Sequence, residues 1–248
     1  MNIGIIGAGN IGASLARKLA SAGHVVKLAN SRGPESLQDI VQGTDVIAAT
    51  KEDAVRDADV IILSVPYAKM PELAALLADV PASTIVVDTS NYYPARDQAI
   101  AEVDNGKPET LWSSEQIGRP LVKAWNALLA QTLDEAGSEA ETPDRIAIPI
   151  AGDDPVAKAV VSGLVSETGF DTVDAGTLTE SWRLQPGTPA YCTELSAEDL
   201  KAALGAAQEG LAPSKRDAIM QSMVDGSVPF NRAAMIANNR AMTGSITD

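Results

Sequence analysis

Up to about Gly176, short runs of nearly continuous Val, Ile and Leu alternate with longer segments whose apolar positions recur at helical spacing. Runs of the first kind suit strands buried on both faces, and the segments between them suit the helices that cover those faces. The pattern predicts an α/β fold of the Rossmann type, a doubly wound and mostly parallel sheet. The predicted strands are NIGIIG (2–7), VVKLAN (25–30), DVIAA (45–49), DVIILSV (59–65), TIVVDT (84–89), LVKAW (121–125) and RIAIPIAG (145–152). Helices are predicted at ASLARKLASAG and at PVAKAVVSGLVSETG, where Pro155 suits a first helical turn and Gly169 a C-terminal stop.

The rhythm changes after VDAG (173–176). LSAEDLKAALGAAQEGL and APSKRDAIMQSMVDG read as helices, the first with a capping box from Ser196 to Asp199. Two units are therefore expected, a dinucleotide-binding Rossmann domain over 1–178 and a small C-terminal helical region over 179–248 that builds a substrate pocket or a dimer contact. Met220, Met223 and Phe230 in that region read as core or subunit contact rather than as a cofactor box. The acidic stretch DEAGSEAETPD (134–144) has no apolar face and reads as a surface connection.

Composition narrows the function classes. The 248 residues, 45% hydrophobic and 21% charged, suffice for one sizeable core, and a net charge of −14 disfavours nucleic acid and anionic membrane surfaces as partners. No apolar run has the ~18 residues of a membrane span, and the first segment lacks the basic start of a secretion signal, so a cytoplasmic protein with nothing before its first strand is expected. Cys192 is the single cysteine, which excludes an internal disulfide and leaves no zinc spacing. No nucleophile triad or P-loop is present, so the sequence offers no machinery for hydrolysis or phosphoryl transfer.

The segment that carries chemistry is Gly7-Ala8-Gly9-Asn10-Ile11-Gly12, which fits G-x-G-x-x-G. Alone the pattern is weak, and a glycine-rich turn in an empty domain would share it. Here it follows an apolar strand, opens a helix, and precedes a second strand ending at Asn30, the arrangement of a dinucleotide unit. Gly7 would make the tight turn, Gly9 would let pyrophosphate approach the backbone, and Gly12 would let helix and strand pack closely. The tip of the second strand reads Asn30-Ser31-Arg32, without the carboxylate that binds a ribose diol, so the chain is expected to take NADP(H), with Arg32 and Ser31 on the 2′-phosphate. Glu35 is a nearby competitor for Arg32. Ligands in such sheets lie beyond the carboxyl ends of the strands, which adds Ser64, Val65, Pro66, Asn91 and Ala151 to the candidates. His24, the only histidine, lies at the entrance of the second strand, the wrong end of the sheet for acid/base chemistry.

The segments IGIIGAGNIGASLARKLASAGHVVKLANSRGPESL, VIILSVPY, VVDTSN, KAWNAL and AIPIAGDDPVAKAVVSGLVSETGFDTVDAG resemble the coenzyme F420-dependent NADP oxidoreductases. The resemblance implies a homodimer that moves hydride between NADP(H) and the deazaflavin F420. It also implies phosphate contacts at Asn10 and Ile11, 2′-phosphate contacts at Ser31 and Arg32, and nicotinamide near Val65 and Pro66. The chain departs from the family at Ser36, neutral where a second basic residue is common, and in a longer tail from Trp182. Two alternatives remain open: an NADPH-dependent reductase of another small acceptor (flavin, carbonyl or imine), and an NADPH-binding module without turnover. Lys201 and Lys215 sit in no recognisable catalytic setting.

Overall fold

Each apolar run becomes a strand trimmed at its ends, where turn residues take over the backbone. Along the chain these are β1 (Asn2–Ile6), β2 (Val25–Ala29), β3 (Ile47–Ala48), β4 (Val60–Leu63), β5 (Ile85–Asp88), β6 (Val122–Lys123) and β7 (Ala147–Gly152), and an eighth strand that the apolar pattern does not predict follows them, β8 (Asp171–Asp174), acidic at both ends. The computed structural model describes residues 1–245, so the last three residues of the expected 179–248 region lie outside the described residues. The strands form one sheet in the order β3-β2-β1-β4-β5-β6-β7-β8. The longer helices are α1 (Asn10–Ser21), α2 (Glu109–Ile117), α3 (Pro155–Glu167), α4 (Ala197–Ala206), α5 (Ala212–Val224) and α6 (Arg232–Thr243).

Successive strand side chains point to opposite faces, and the two cores follow from that alternation. Ile3, Ile5, Val60 and Ile62 meet Leu15 and Leu19 of α1 and Val161 and Val165 of α3 on one face. Ile61, Leu63 and Val86 meet Tyr67, Met70 and Trp112 on the other. A third cluster, with Leu184, Leu195, Leu200 and Leu204, covers β7 through Ala147 and Ala151. Asp154 accepts from the amides of Val156 and Ala157 to start α3, and of the expected capping box at α4 the Ser196 half forms, its side chain accepting from the amide of Asp199.

Strand direction departs from the sequence reading at β7. β1 to β6 pair in parallel, but β7 is antiparallel to β6, with Val122 opposite Gly152 and Lys123 opposite Ala151, and β8 follows β7. The connection from β6 to β7 holds only the short helix Ala130–Glu135 and an irregular acidic segment, not a helix long enough to carry the chain back across the sheet. The chain therefore re-enters from the side it left. Among the described residues, no helix is long and apolar enough to cross a membrane, and no cluster of His, Cys, Asp and Glu could hold a metal ion.

Candidate functional site

The carboxyl ends of β1, β2 and β4 open on a cavity of about 650 Å³. Of the residues singled out in the sequence, Gly7, Gly9, Asn30, Ser31, Arg32, Ser64, Val65 and Pro66 line it. Gly9 caps α1 in extended backbone without any side-chain cap, so no side chain covers the amides of that helix end. A Cβ built on Gly9 meets nothing within 4 Å. One built on Gly12 would lie 1.9 Å from the carbonyl oxygen of Gly7, so helix and strand already touch there. Asn10 and Ile11 form the first turn of α1 beside the cavity but do not line it, and Gly12 is buried behind them.

The tip of β2 is a shaped turn. Asn30 Oδ1 accepts from the backbone amide of Arg32 at 2.9 Å, Asn30 Nδ2 donates to Ser36 Oγ at 2.9 Å, and Ser36 Oγ donates to the Gly33 carbonyl at 2.8 Å. Asn30 and Ser36 thus spend their polar atoms on the loop, while Arg32 is exposed and makes no ion pair among the described residues. Glu35 does not capture it. Two further cations reach the same cavity, Lys51 and Lys69, the latter paired with Glu72 at 2.6 Å. Sequence reading missed both, because Lys51 follows β3 and Lys69 lies after β4, far from the motif along the chain. The only available signal was that Lys51 lies just past the end of a predicted strand.

Beyond β5 and β6 the sheet carries a buried polar group. Asn91 Nδ2 donates to the Asn126 carbonyl at 2.9 Å, and Asn126 Nδ2 donates to Asn91 Oδ1 at 3.1 Å and to the Leu184 carbonyl at 2.9 Å. Asn126 Oδ1 is buried and has no partner among the described residues. Beneath them Lys123 Nζ donates to Asp88 Oδ2 at 2.9 Å and to the Ser90 carbonyl, with both charged side chains fully buried. Asp88 Oδ1 in turn accepts from the amide and hydroxyl of Ser90. Asn91 does not line the cavity and stands next to it on this framework.

Glu109, at the start of α2, is buried and accepts from the amide of Tyr92 at 3.0 Å and from Gln185 Nε2 at 3.2 Å. Burial pushes its carboxyl up to about 7, against the pull of Lys123, the Tyr92 amide and Arg216. A carboxyl with a raised folded-state pKa holds its proton more tightly when folded. The stability this contributes is whole below about 4.5 and is lost as pH rises through about 7. The gap in urea midpoint between the wild type and Glu109→Gln should therefore move in favour of the variant from about pH 5 to about pH 8. A gap that stays constant with pH would refute the shift.

The remaining candidates are placed elsewhere. His24 sits at the amino end of the sheet, its Nε2 2.6 Å from Glu167 and its Nδ1 3.2 Å from the Met1 amine. Burial pushes the Cys192 thiol up to about 12, which leaves it unreactive. Ala151 pairs with Lys123 at the end of β6, is fully buried against α4 residues, and is not among the residues that line the cavity. Met220 and Phe230 are 38% and 88% exposed and so are not core, which leaves subunit contact as the other half of that expectation.

Comparison with known proteins agrees with this geometry. The family described as NADP oxidoreductase, coenzyme F420-dependent, matches residues 2–92. Protein YjhV of Escherichia coli (strain K12) is 37% identical over 99 residues, 40% of this chain and 72% of YjhV. The crystal structure of hypothetical protein SMa0349 from Sinorhizobium meliloti is 33% identical with a TM-score of 0.69, covering 79% of this chain and 95% of that one. A protein of Arthrobacter sp. FB24 provisionally described as an F420-dependent NADP reductase shares the fold at 23% identity and a TM-score of 0.57, covering 72% of this chain and 86% of that one. Fold, motif and likeness together define an NAD(P)-dependent oxidoreductase. The chain belongs to the family of NADP oxidoreductases described as coenzyme F420-dependent.

Proposed function

We propose that the protein moves hydride between NADP(H) and coenzyme F420, with NADP(H) held in the cavity at the ends of β1, β2 and β4. The observation that carries the cofactor half is local charge: Arg32, Lys51 and Lys69 converge on one cavity against a single carboxylate, Glu72, in a chain whose net charge is −14. Such a concentration favours a ligand with several phosphates. The backbone around Gly9 and the first turn of α1, Asn10 and Ile11, would hold the pyrophosphate, and Ser31, Arg32 and Lys51 the 2′-phosphate. Val65 and Pro66 would flank the nicotinamide.

The bound nicotinamide supplies the hydride chemistry. The chain's own residues align it and exclude water, and no side-chain proton relay is required between two rings that each carry their own electronics. The family description supports F420 as the partner. The test is NADPH oxidation by the purified protein, followed by loss of reduced-nicotinamide absorbance, with F420 and separately with a panel of flavins, carbonyls and imines. Turnover with F420 alone supports the reading, and turnover only with another acceptor overturns its F420 half.

The 2′-phosphate assignment has its own check. Arg32→Ala should cost about 1.5–3 kcal/mol of NADPH affinity, roughly a ten- to hundredfold rise in Kd, and change NADH binding little. Equal losses for the two dinucleotides, measured by calorimetry, would remove Arg32 from the 2′-phosphate.

A further inference from the structure

A second cavity lies among the C-terminal helices, apart from the cofactor cleft. It encloses about 220 Å³, with Leu129 and Met223 giving apolar wall and Tyr93, Tyr191, Arg216 and Asn239 giving the polar atoms. Asn239 and Arg216 there have capacity that the protein leaves unused among the described residues. Asn239 is 3% exposed, its Nδ2 donates to the Cys192 carbonyl at 3.0 Å, and its Oδ1 has no partner among the described residues. The carbonyl acceptor fixes which way this amide is turned, so the orphan is an acceptor. Arg216, 7% exposed, gives Nε to Asp217 at 2.8 Å and lays its guanidinium 5.5 Å from the Tyr92 ring centre. Its terminal nitrogens meet no acceptor among the described residues.

The hydroxyls of Tyr93 and Tyr191 are 2.8 Å apart, and burial pushes both phenols up, so both keep their protons at neutral pH. A pair of hydroxyls uses one proton between them and leaves the other to donate, to the neighbouring Cys192 sulfur, a weak acceptor, or to a bound ligand. A nearly buried guanidinium and a spare hydroxyl call for an anion, and an orphan carbonyl oxygen calls for an N–H or O–H. Size sets the rest. An apolar cavity of about 150 Å³ holds benzene, so this one holds a single ring with its substituents and not a three-ring deazaflavin.

We infer that this cavity is a binding site for a small organic anion: one ring or its aliphatic equivalent, a carboxylate-like group on Arg216 and the tyrosine pair, and a donor to Asn239 Oδ1. The site goes beyond the hydride-transfer reading, since it shares no lining residue with the cofactor cleft.

Anthranilate, which carries a ring, a carboxylate, an N–H donor and its own fluorescence, is the probe. Polarisation titrations of the full chain should show saturable binding of anthranilate, with the neutral anthranilamide at least about tenfold weaker. Arg216→Gln should weaken anthranilate by about tenfold or more and leave anthranilamide nearly unchanged, a charge-selective loss that misfolding would not produce. Met220→Trp, at a partly exposed wall position, should block both. No saturable binding of anthranilate to the wild type, or equal binding to wild type and Arg216→Gln, overturns the proposal. NADPH affinity measured on the same proteins separates the two readings: NADPH binding without anthranilate sinks the anion site alone, and the converse sinks the cofactor cleft alone.

Discussion

Gly9→Val is expected to fold almost as well as the wild type and to lose NADPH by about a hundredfold or more, whereas Gly12→Val should lose stability itself. The two glycines belong to one motif, but their surroundings are opposite. At Gly9 an added side chain has open space and an ordinary extended backbone, so the stability cost should stay within about 1 kcal/mol, the range of a poorer helix cap. That open space is where the pyrophosphate would lie on the helix amides, and losing two charge-assisted contacts of about 1.5–3 kcal/mol each accounts for the affinity loss. At Gly12 the Cβ would lie 1.9 Å from the Gly7 carbonyl oxygen. Backbone meets backbone there, so α1 must move off β1, an overpacking cost of about 1–3 kcal/mol or more. Urea denaturation and NADPH calorimetry on both variants check this. If Gly9→Val still binds NADPH at wild-type affinity, the pyrophosphate does not use this helix end.

Asp88→Asn should be among the most destabilising single changes in the chain, at about 3–5 kcal/mol against a typical domain stability of about 5–15 kcal/mol. The substitution nearly preserves shape and keeps an acceptor for Ser90. What it removes is the charge opposite Lys123, whose side chain is 0% exposed and cannot reach water. Adding Lys123→Met should recover most of the loss, because a buried pair replaced by neutral groups is often no less stable than the pair. Urea midpoints with unchanged slope are the measurement. If Asp88→Asn costs less than about 1 kcal/mol, Lys123 is not held as a buried cation. The pair also explains why two charges stand inside apolar strands. Through Ser90 they pin the loop that carries Asn91, Tyr92 and Tyr93.

The local parts of the site were legible along the chain. The glycine motif, the acid-free tip at Arg32 and the placement of His24 each depend on residues close in sequence, where strand, turn and helix start follow from periodicity and turn chemistry. Lys51 and Lys69 were not legible in the same way, because they come from different elements and meet only through sheet order. Asp88 and Lys123 were read as ordinary strand residues, since nothing in either segment tells that the two charges face each other across β5 and β6.

By itself, then, the sequence determined the first seven strands, helices α1, α3, α4 and α5, the two-faced core and the helix end at Gly9, all consequences of short-range spacing and side-chain volume. Tertiary structure alone decided the reversal of β7, the union of Arg32, Lys51 and Lys69 at one cavity and the cavity between Tyr93 and Asn239. These depend on which way a connection returns and which distant faces meet, and short-range patterning carries no term for either.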